Sequence, residues 1–578
     1  MKAPQKRPQR PASIAQTELD AALPAATQVG FSVSPPPRFP HTPAMPVENR
    51  IIKVQKRNRA LVTFDQDRIR LAILHAAQSI GGFREDFLPS INDRIYQAWG
   101  SDEAIAGFLA DVVVICLNSD PHHLISNFPP TIETIQDEVL HALRSHGFQN
   151  TADAYACYRW GRHWLREGAV RKDQFAANGF PADLMAEGLA WNRAHGCDTI
   201  PALNELTLSG RLPGLVEASL ARYESDLDAA ADRFLVRLNA GDRIRMLWVS
   251  GPSSSGKTTT TVKLTQRLQR HGLRFLMLNL DDYFWSLIEH PTDWINDRNF
   301  ETPEALDIQL LNRHLRELLG GQTIQKPIYS FKEGRRLGEK PVRLEPDQVL
   351  LLDCLHGFYP PITEGLAPST QFRLYIETMN MLFTEAGATW PVPVPQEPGS
   401  RGRQSAPSSL ETEQRRLTLA ATTAPLPSSI PHPPSSPPSL TRWTDIRLLR
   451  RTLRDVKHRN HSPLRTLLHW HYVRHGELFS IIPLRGLADA VINGGFPFDL
   501  PVLKPFFTGP DSHLPAPADL APYAGFLDAR IRLDRVRRLL DSVAGVPAAD
   551  LEDTRLLPGD AVLREFIGGS TIQIPHNE

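Results

Sequence analysis

The stretch Met246-Leu247-Trp248-Val249-Ser250-Gly251-Pro252-Ser253-Ser254-Ser255-Gly256-Lys257-Thr258-Thr259 constrains this chain more than any other. An apolar run enters a loop bounded by glycines, and Val262, Leu264 and Leu268 follow at helical spacing. Gly251, four residues, then Gly256-Lys257-Thr258 is the spacing of a phosphate-binding loop. The glycines let backbone N–H groups curl around an anion, and the new helix points its positive end at the same spot. In that pattern Lys257 reaches the outer phosphates of ATP and the Thr258 hydroxyl takes one Mg²⁺ position. Gly251, Ser253, Ser254, Ser255, Gly256 and Thr259 complete the expected ATP contacts. An ordinary strand–turn–helix is the other reading, but these residues rarely meet at this spacing by chance.

Composition narrows the setting. A chain of 578 residues has room for two to four domains, each with its own core. Its 64 Lys and Arg balance 64 Asp and Glu, so no general pull towards nucleic acid or an anionic membrane is expected. Cys116, Cys157, Cys197 and Cys354 stand far apart with no CxxC pair, which argues against a disulfide framework or zinc ribbon and for a reducing cytoplasm. No apolar run approaches about 18 residues, so no membrane span is expected. The basic N-terminus lacks the apolar segment of a secretory signal. A soluble cytoplasmic protein is expected, and assembly with a second copy stays open.

Along the chain, residues 1–46 are rich in Pro, Ala and Gln without apolar period, and are expected to be disordered. Residues 47–165 begin with two strand-like runs, Ile51-Ile52-Lys53-Val54 and Leu61-Val62-Thr63-Phe64, around the basic turn Lys56-Arg57-Asn58-Arg59. Asp65 can cap the following helix, whose face is Ile69, Ala72, Ile73 and Ala76. Such a turn suits an anion, although basic turns are usually just solvated. Residues 166–240 are expected to be a helical connector without a catalytic constellation.

In 241–383, Arg274-Phe275-Leu276-Met277-Leu278-Asn279-Leu280 resembles a strand buried in a parallel sheet, and it ends in Asp281-Asp282. Acids after a strand often only cap a helix. One strand beyond a phosphate loop, they would face that loop, so Asp281 is a candidate catalytic base. Tyr329 and Phe331 alternate beyond Pro327, as half-buried core or as a wall for a flat ring. Val349-Leu350-Leu351-Leu352-Asp353 is a buried strand whose acid suits the Mg²⁺ side of such an enzyme. Phe372–Ile376 forms a fourth strand. The Pro/Ser-rich stretch 384–440 is expected to be a disordered insertion. In 441–510, Arg447, Arg451 and Arg454 lie at helical spacing with Arg459 beyond, as a solvated face or as guanidinium donors for a transferring group. A last strand, Ala488–Ile492, precedes a C-terminal helical region, 511–578.

Two resemblances sharpen this reading. Val54-Gln55-Lys56-Arg57-Asn58, Phe64-Asp65, Arg68-Ile69, Ile135-Gln136-Asp137, Ala154-Tyr155 and Tyr158-Arg159 resemble the ATP-cone domain, a nucleotide sensor. The resemblance implies that Val54, Lys56, Arg57, Asp65, Arg68 and Ile69 surround an adenine nucleotide acting as effector. Arg59 stands where that family usually has Gly. The region 245–505 resembles the uridine kinase and phosphoribulokinase branch of P-loop kinases. It does so through the phosphate loop, Asp281-Asp282-Tyr283-Phe284, Asn299-Phe300-Glu301-Thr302-Pro303, Pro327-Ile328-Tyr329-Ser330-Phe331 and Arg450-Arg451-Thr452-Leu453-Arg454-Asp455. Trp470–Glu477, Leu500–Lys504 and Leu563–Ser570 add similarity to bacterial uridine kinase-like proteins.

That resemblance implies an α/β fold, a P-loop kinase with a parallel sheet flanked by helices behind a small, mainly helical ATP-cone domain with a β-hairpin. It implies transfer of the ATP γ-phosphate to a hydroxyl of a nucleoside or similar small molecule. Asp281 would take the proton, Lys257 would hold phosphates, and Thr258 and Asp353 would hold Mg²⁺. Arg451, Arg454 and Arg459 would close over the transition state, while Glu301, Tyr329, Phe331 and Arg336 would contact the acceptor. This chain departs from the uridine kinase pattern at Glu301 (usually Asp), Gly334 (usually His), Asp353-Cys354 (usually Glu-Gly) and Asn460 (usually Gly). The alternative is a nucleotide-gated regulator without small-molecule turnover.

Overall fold

The computed structural model describes residues 49–79, 82–83, 100–119, 129–168, 182–290, 297–330, 333–384, 440–510, 512–523, 527–552 and 554–572. The Pro-rich N-terminus, nearly all of the 384–440 insertion and Phe331 lie outside them.

The N-terminal domain starts with a hairpin. β1 (Lys53–Gln55) pairs antiparallel with β2 (Leu61–Thr63), Val54 opposite Val62. Its turn is closed by Lys56 N–H donating to the Ala60 carbonyl at 2.8 Å. Arg59 adopts φ +63°, so the left-handed conformation that glycine serves elsewhere is kept with a side chain in place. Asp65 does cap α1 (Gln66–Gln78), accepting from Asp67 N–H at 3.2 Å. Helices α2 (Asp102–Ser119), α3 (Ile132–Ser145) and α4 (Gln149–Arg166) follow among the described residues. Gln55 N–H donates to the Pro130 carbonyl at 3.0 Å and ties the hairpin to the start of α3.

Next come α5 (Ala182–Ala194), α6 (Ile200–Leu208) and α7 (Leu212–Asn239). The segment expected as a helical connector is helical where described, and it also packs on the sheet. Leu215, Tyr223, Leu227 and Phe234 of α7 are buried in one core with the main sheet. The Tyr223 hydroxyl meets Thr260 Oγ1 at 2.6 Å. A helical pattern without chemistry does not reveal which sheet its apolar face will cover.

The main sheet is parallel, with β4 (Arg274–Met277), β7 (Gln348–Asp353), β3 (Met246–Ser250), β8 (Gln371–Glu377) and β9 (Ala490–Asn493) side by side in that order. A separate antiparallel hairpin joins β5 (Thr323–Ser330) to β6 (Arg335–Arg343). Successive residues of a strand point to opposite faces. Leu247, Val249, Leu351 and Phe372 therefore enter one core, and Met246, Trp248, Leu350, Leu352 and Tyr375 another. With both faces covered, β3 is buried at every position. The 274–280 run is an edge strand rather than an inner one, and it ends at Met277 before a 3₁₀ turn over Leu280–Tyr283. The strand is also less buried than expected, with Arg274 exposed and Phe275, Leu276 and Met277 only half-buried, because an edge strand has a neighbour on one side alone.

The flanking helices are α8 (Lys257–Gln269), α9 (Ile308–Leu319), α10 (Trp443–His458), α11 (Pro463–Gly476) and α12 (Leu527–Ser542), with a last short turn, α13 (Arg564–Ile567). In α9, Leu311, Leu315 and Leu318 form the buried stripe, and Asp307 caps the helix by accepting from Leu310 N–H at 3.0 Å. The C-terminal region shares the core of the sheet. Leu557, Val562, Leu563 and Phe566 are buried in the same core as β3 and β8. Among the described residues no helix is long and apolar enough to cross a membrane. All four cysteines are free thiols.

Candidate active site

The chain leaves β3 for β4 on one side, and β8 lies on the other, which opens a crevice beyond the carboxyl end of β3. The loop 251–256 occupies that position. A Cβ on Gly251 would overlap the Ile376 carbonyl oxygen, so only glycine lets the loop pass β8. Ser254 (φ +61°) and Gly256 (φ +89°) are both left-handed, the alternation that forms anion-binding backbone concavities. The Ser254 and Ser255 hydroxyl oxygens are buried without a hydrogen-bond partner, a polar lining suited to phosphate. Lys257 folds back, with Nζ donating to the Gly251 and Pro252 carbonyls at 3.0 Å each. Burial pulls its pKa down, Asp353 opposes that, and Arg454 adds to it.

The acids of two strands converge here. Asp353, the last residue of β7, lies opposite Val249 of β3. Asp281 is the second residue of the 3₁₀ turn, its N–H donating to Asn279 Oδ1 at 3.0 Å. Its charge is felt at Arg459 and at buried Cys354, next to Asp353. Asp282 serves the fold instead. It pairs with Lys326 and accepts from Tyr329 N–H at 3.1 Å, which holds the β5–β6 hairpin. The two acids are consecutive in one 3₁₀ turn, and the hairpin engages Asp282.

The basic face of α10 is buried rather than solvated. Arg451 Nη1 donates to Ser253 Oγ at 2.9 Å and lies 2.7 Å from Glu301 Oε1, while its Nε reaches Asp455 at 3.2 Å. Arg454 pairs with Asp455 at 2.9 Å, and Arg459 lies 3.9 Å away. Burial would raise the pKa of Asp455, but Arg454, Arg451 and Arg459 together hold it far below the carboxylate range. Arg459 is pushed down to about 10, chiefly by the neighbouring Arg454 charge, against the pull of Asp455 and Asp281. Arg447 donates to the Ser253 carbonyl at 3.2 Å and to Glu477 at 2.9 Å, and Arg450 pairs with Asp499 at 2.8 Å.

On the side expected to receive the acceptor, Glu301 is buried and held well below its usual pKa: burial acts upward, and Arg451 and His469 prevail. His469 bridges Asp297 (2.6 Å) and Glu301 (3.5 Å). Arg336 is bound to the Tyr283 and Phe284 carbonyls (2.9 and 3.1 Å) and Asp307 (3.3 Å), so it braces the loop behind Asp281. Tyr329 is half-buried against Phe284, ring centroids 5.8 Å apart. Gly334 has φ +63°, and a Cβ there would press on Leu287, so this turn would be strained by an imidazole side chain. Asn460 has φ +53°. Like Arg59, it keeps a left-handed position without glycine.

In the N-terminal domain, β1, α3 and α4 bring the expected nucleotide segments together. Arg57 pairs with Glu133 and donates to Gln136 at 3.1 Å, and Arg159 pairs with Asp137 at 2.5 Å. Arg68 pairs with Asp65 at 3.1 Å, Lys56 is exposed, and Val54 and Ile69 are buried beneath. Asp153 of α4 accepts from Arg474 of α11 at 3.2 Å. Arg474 also pairs with Glu477, which pairs with Arg447 on the Ser253 carbonyl.

Residues 246–382 match the model of the Phosphoribulokinase / Uridine kinase family, and residues 52–163 match that of the ATP cone domain. A family-level match to such kinases thus lies behind a match to the ATP cone. The uridine kinase of Ligilactobacillus salivarius is 36% identical over 133 residues, which are 23% of this chain and 60% of that protein. The uridine kinase of Bacillus pumilus is 32% identical over the same length, again 23% and 60%. Uridine-cytidine kinase B of Dictyostelium discoideum is 30% identical, covering 23% and 52%. The chain thus spans about 60% or less of the length of these curated relatives.

Sequence reasoning did not find three residues around the kinase-family loop: Asp455, which gathers three arginines; Glu477, which links Arg447 to Arg474; and Glu565. The last accepts from Thr259 N–H and Oγ1 across 306 positions. Asp455 and Glu477 lay in segments carrying the resemblance, as did Leu563–Ser570. No periodicity relates residues so far apart.

Proposed function

We propose that this protein is an ATP-dependent phosphotransferase that moves the γ-phosphate of ATP to a hydroxyl of a nucleoside or related small alcohol. The observation that carries the reading is the meeting of Lys257, Asp353, the charge of Asp281 and the Arg451–Arg454–Arg459 group at one strand-end loop. Asp281 takes the acceptor hydroxyl proton as the new O–P bond forms to the γ-phosphorus and the bond to the β-phosphate oxygen breaks, releasing ADP. Lys257 leaves its two carbonyls for the phosphates, and the buried Ser254 and Ser255 hydroxyls gain partners. The arginines meet charge that grows on the transferring group, and catalysis of this kind is mainly positioning and charge stabilisation. Thr258 and Asp353 would hold Mg²⁺, which neutralises phosphate charge when bound; an ion sharing phosphate oxygens needs few protein carboxylates.

Glu301, tied to Arg451 and His469, and the left-handed Gly334 support an acceptor pocket unlike that of a pyrimidine-specific enzyme. A nucleoside remains the first choice, then a sugar. Regulation by nucleotide at the cone is supported by the continuous run of ion pairs from Asp153 to the Ser253 carbonyl.

A screen of nucleosides and sugars for acceptor-dependent ADP release tests the activity, with Asp281→Asn as the partner experiment. The variant is expected to bind ATP and turn over nothing. Slow, acceptor-independent hydrolysis alone would instead identify a nucleotide-gated regulator.

A further inference from the structure

The C-terminal segment Leu563–Ser570 is used by none of the chemistry above, yet it touches the phosphate loop directly. Glu565, 7% exposed, places Oε2 3.2 Å from the backbone N of Thr259 and 2.7 Å from its hydroxyl. Thr259 lies in the first turn of α8, where N–H groups have no partner within the helix and the helix presents its positive end. A phosphate bound by this loop would draw on those same donors. The neighbouring Val562 packs where a Cβ on Gly256 would stand, so the segment lies against the loop itself. It is held there by Asp560 on Lys263 (2.8 Å), by the Ile567 carbonyl on Lys457, and by Arg564 on the Leu551 and Leu557 carbonyls (2.8 and 2.7 Å).

The geometry points to Glu565 as a built-in competitor for the nucleotide: its carboxylate stands in for a phosphate oxygen at the first turn of α8. A bound triphosphate displaces it. This rests on the reading that loop 251–258 takes a triphosphate. The carboxylate and a phosphate want the same N–H and hydroxyl, and their like charges repel at close range. The side chain therefore favours the nucleotide-free state, and any ligand that binds only the displaced state must overcome that preference. Until nucleotide arrives, the same contact satisfies helix donors that would otherwise be left without a protein partner.

The test is calorimetric titration of the full chain and of Glu565→Gln with a Mg²⁺-bound, non-hydrolysable ATP analogue, and with adenosine as a phosphate-free control. The amide keeps the size and loses the charge. The variant is expected to bind the analogue at least tenfold more tightly and adenosine equally well. Equal or weaker binding of the analogue would overturn the inference and leave the kinase reading standing; no binding by either chain would overturn both. A second measurement needs no variant. In hydrogen exchange of the natural chain, amides of 564–568 should lose protection on saturation with the analogue, and unchanged or increased protection refutes displacement.

Discussion

Glu477 holds Arg474, the arginine that reaches Asp153 of the N-terminal domain, and its removal makes the sharpest stability test. Its carboxylate is 1% exposed and pairs with Arg447 (0%) and Arg474 (6%). Two guanidiniums pull its pKa down against burial, so the charged form is what the fold needs. Glu477→Gln keeps the shape and leaves two buried cations short of a counter-charge. Breaking a buried pair by removing one partner costs roughly 3–5 kcal/mol. Part of that loss is offset. Glu377 lies 3.9 Å from Arg447, with a pKa raised by burial, and Asp153 still faces Arg474. The expected value is therefore about 3 kcal/mol, which at about 2–4 °C per kcal/mol lowers the melting temperature by roughly 6–12 °C. Thermal unfolding of the two chains followed by circular dichroism measures it. Adding Arg447→Met should recover part of the loss, because the stranded cation goes with it. A drop of less than about 2 °C would mean that water reaches these groups, and the reasoning would be refuted.

Other consequences can be checked alongside. Gly251→Ala should abolish nucleotide binding in a fluorescent-analogue titration, since the methyl collides with the Ile376 carbonyl; retained affinity would show that the loop can move away from β8. His469 has a raised pKa: burial lowers it, but hydrogen bonds to Asp297 and Glu301 win. A raised folded pKa contributes stability that is full below the unfolded value of about 6.5 and fades as pH rises through the folded one. His469→Gln should flatten the melting-temperature profile over that window, and an unchanged slope would sink the assignment. Asp153→Asn removes the cone's charge on Arg474 and should weaken any effect of ATP or dATP at the cone on activity, a coupling typically of about 1–3 kcal/mol. Superimposable titrations of variant and natural chain would exclude this route.

How far the chain could be read from its sequence differs from residue to residue. Gly251, Gly256 and Lys257 were legible because a strand, a tight loop and a helix start must be neighbours in sequence to work together. Asp65 was legible as a cap for the same local reason. Asp353 was legible as a strand end, whereas Asp281, read as one, lies four residues beyond the end of β4 in a 3₁₀ turn. Arg447 and Arg451 looked like either a solvated face or a lid. Only packing against Glu477, Glu301 and Ser253 made them a buried one.

Residue order alone was enough for a phosphate loop in an α/β setting and a small hairpin domain ahead of it, because local spacing of glycines, caps and apolar residues dictates local backbone. Packing in three dimensions was needed to establish that α7 covers the sheet, that β4 is an edge, that Asp282 holds the β5–β6 hairpin, and that Glu565 meets Thr259. These are contacts between residues tens to hundreds of positions apart. They depend on which apolar faces find each other, and no one-dimensional pattern encodes that choice.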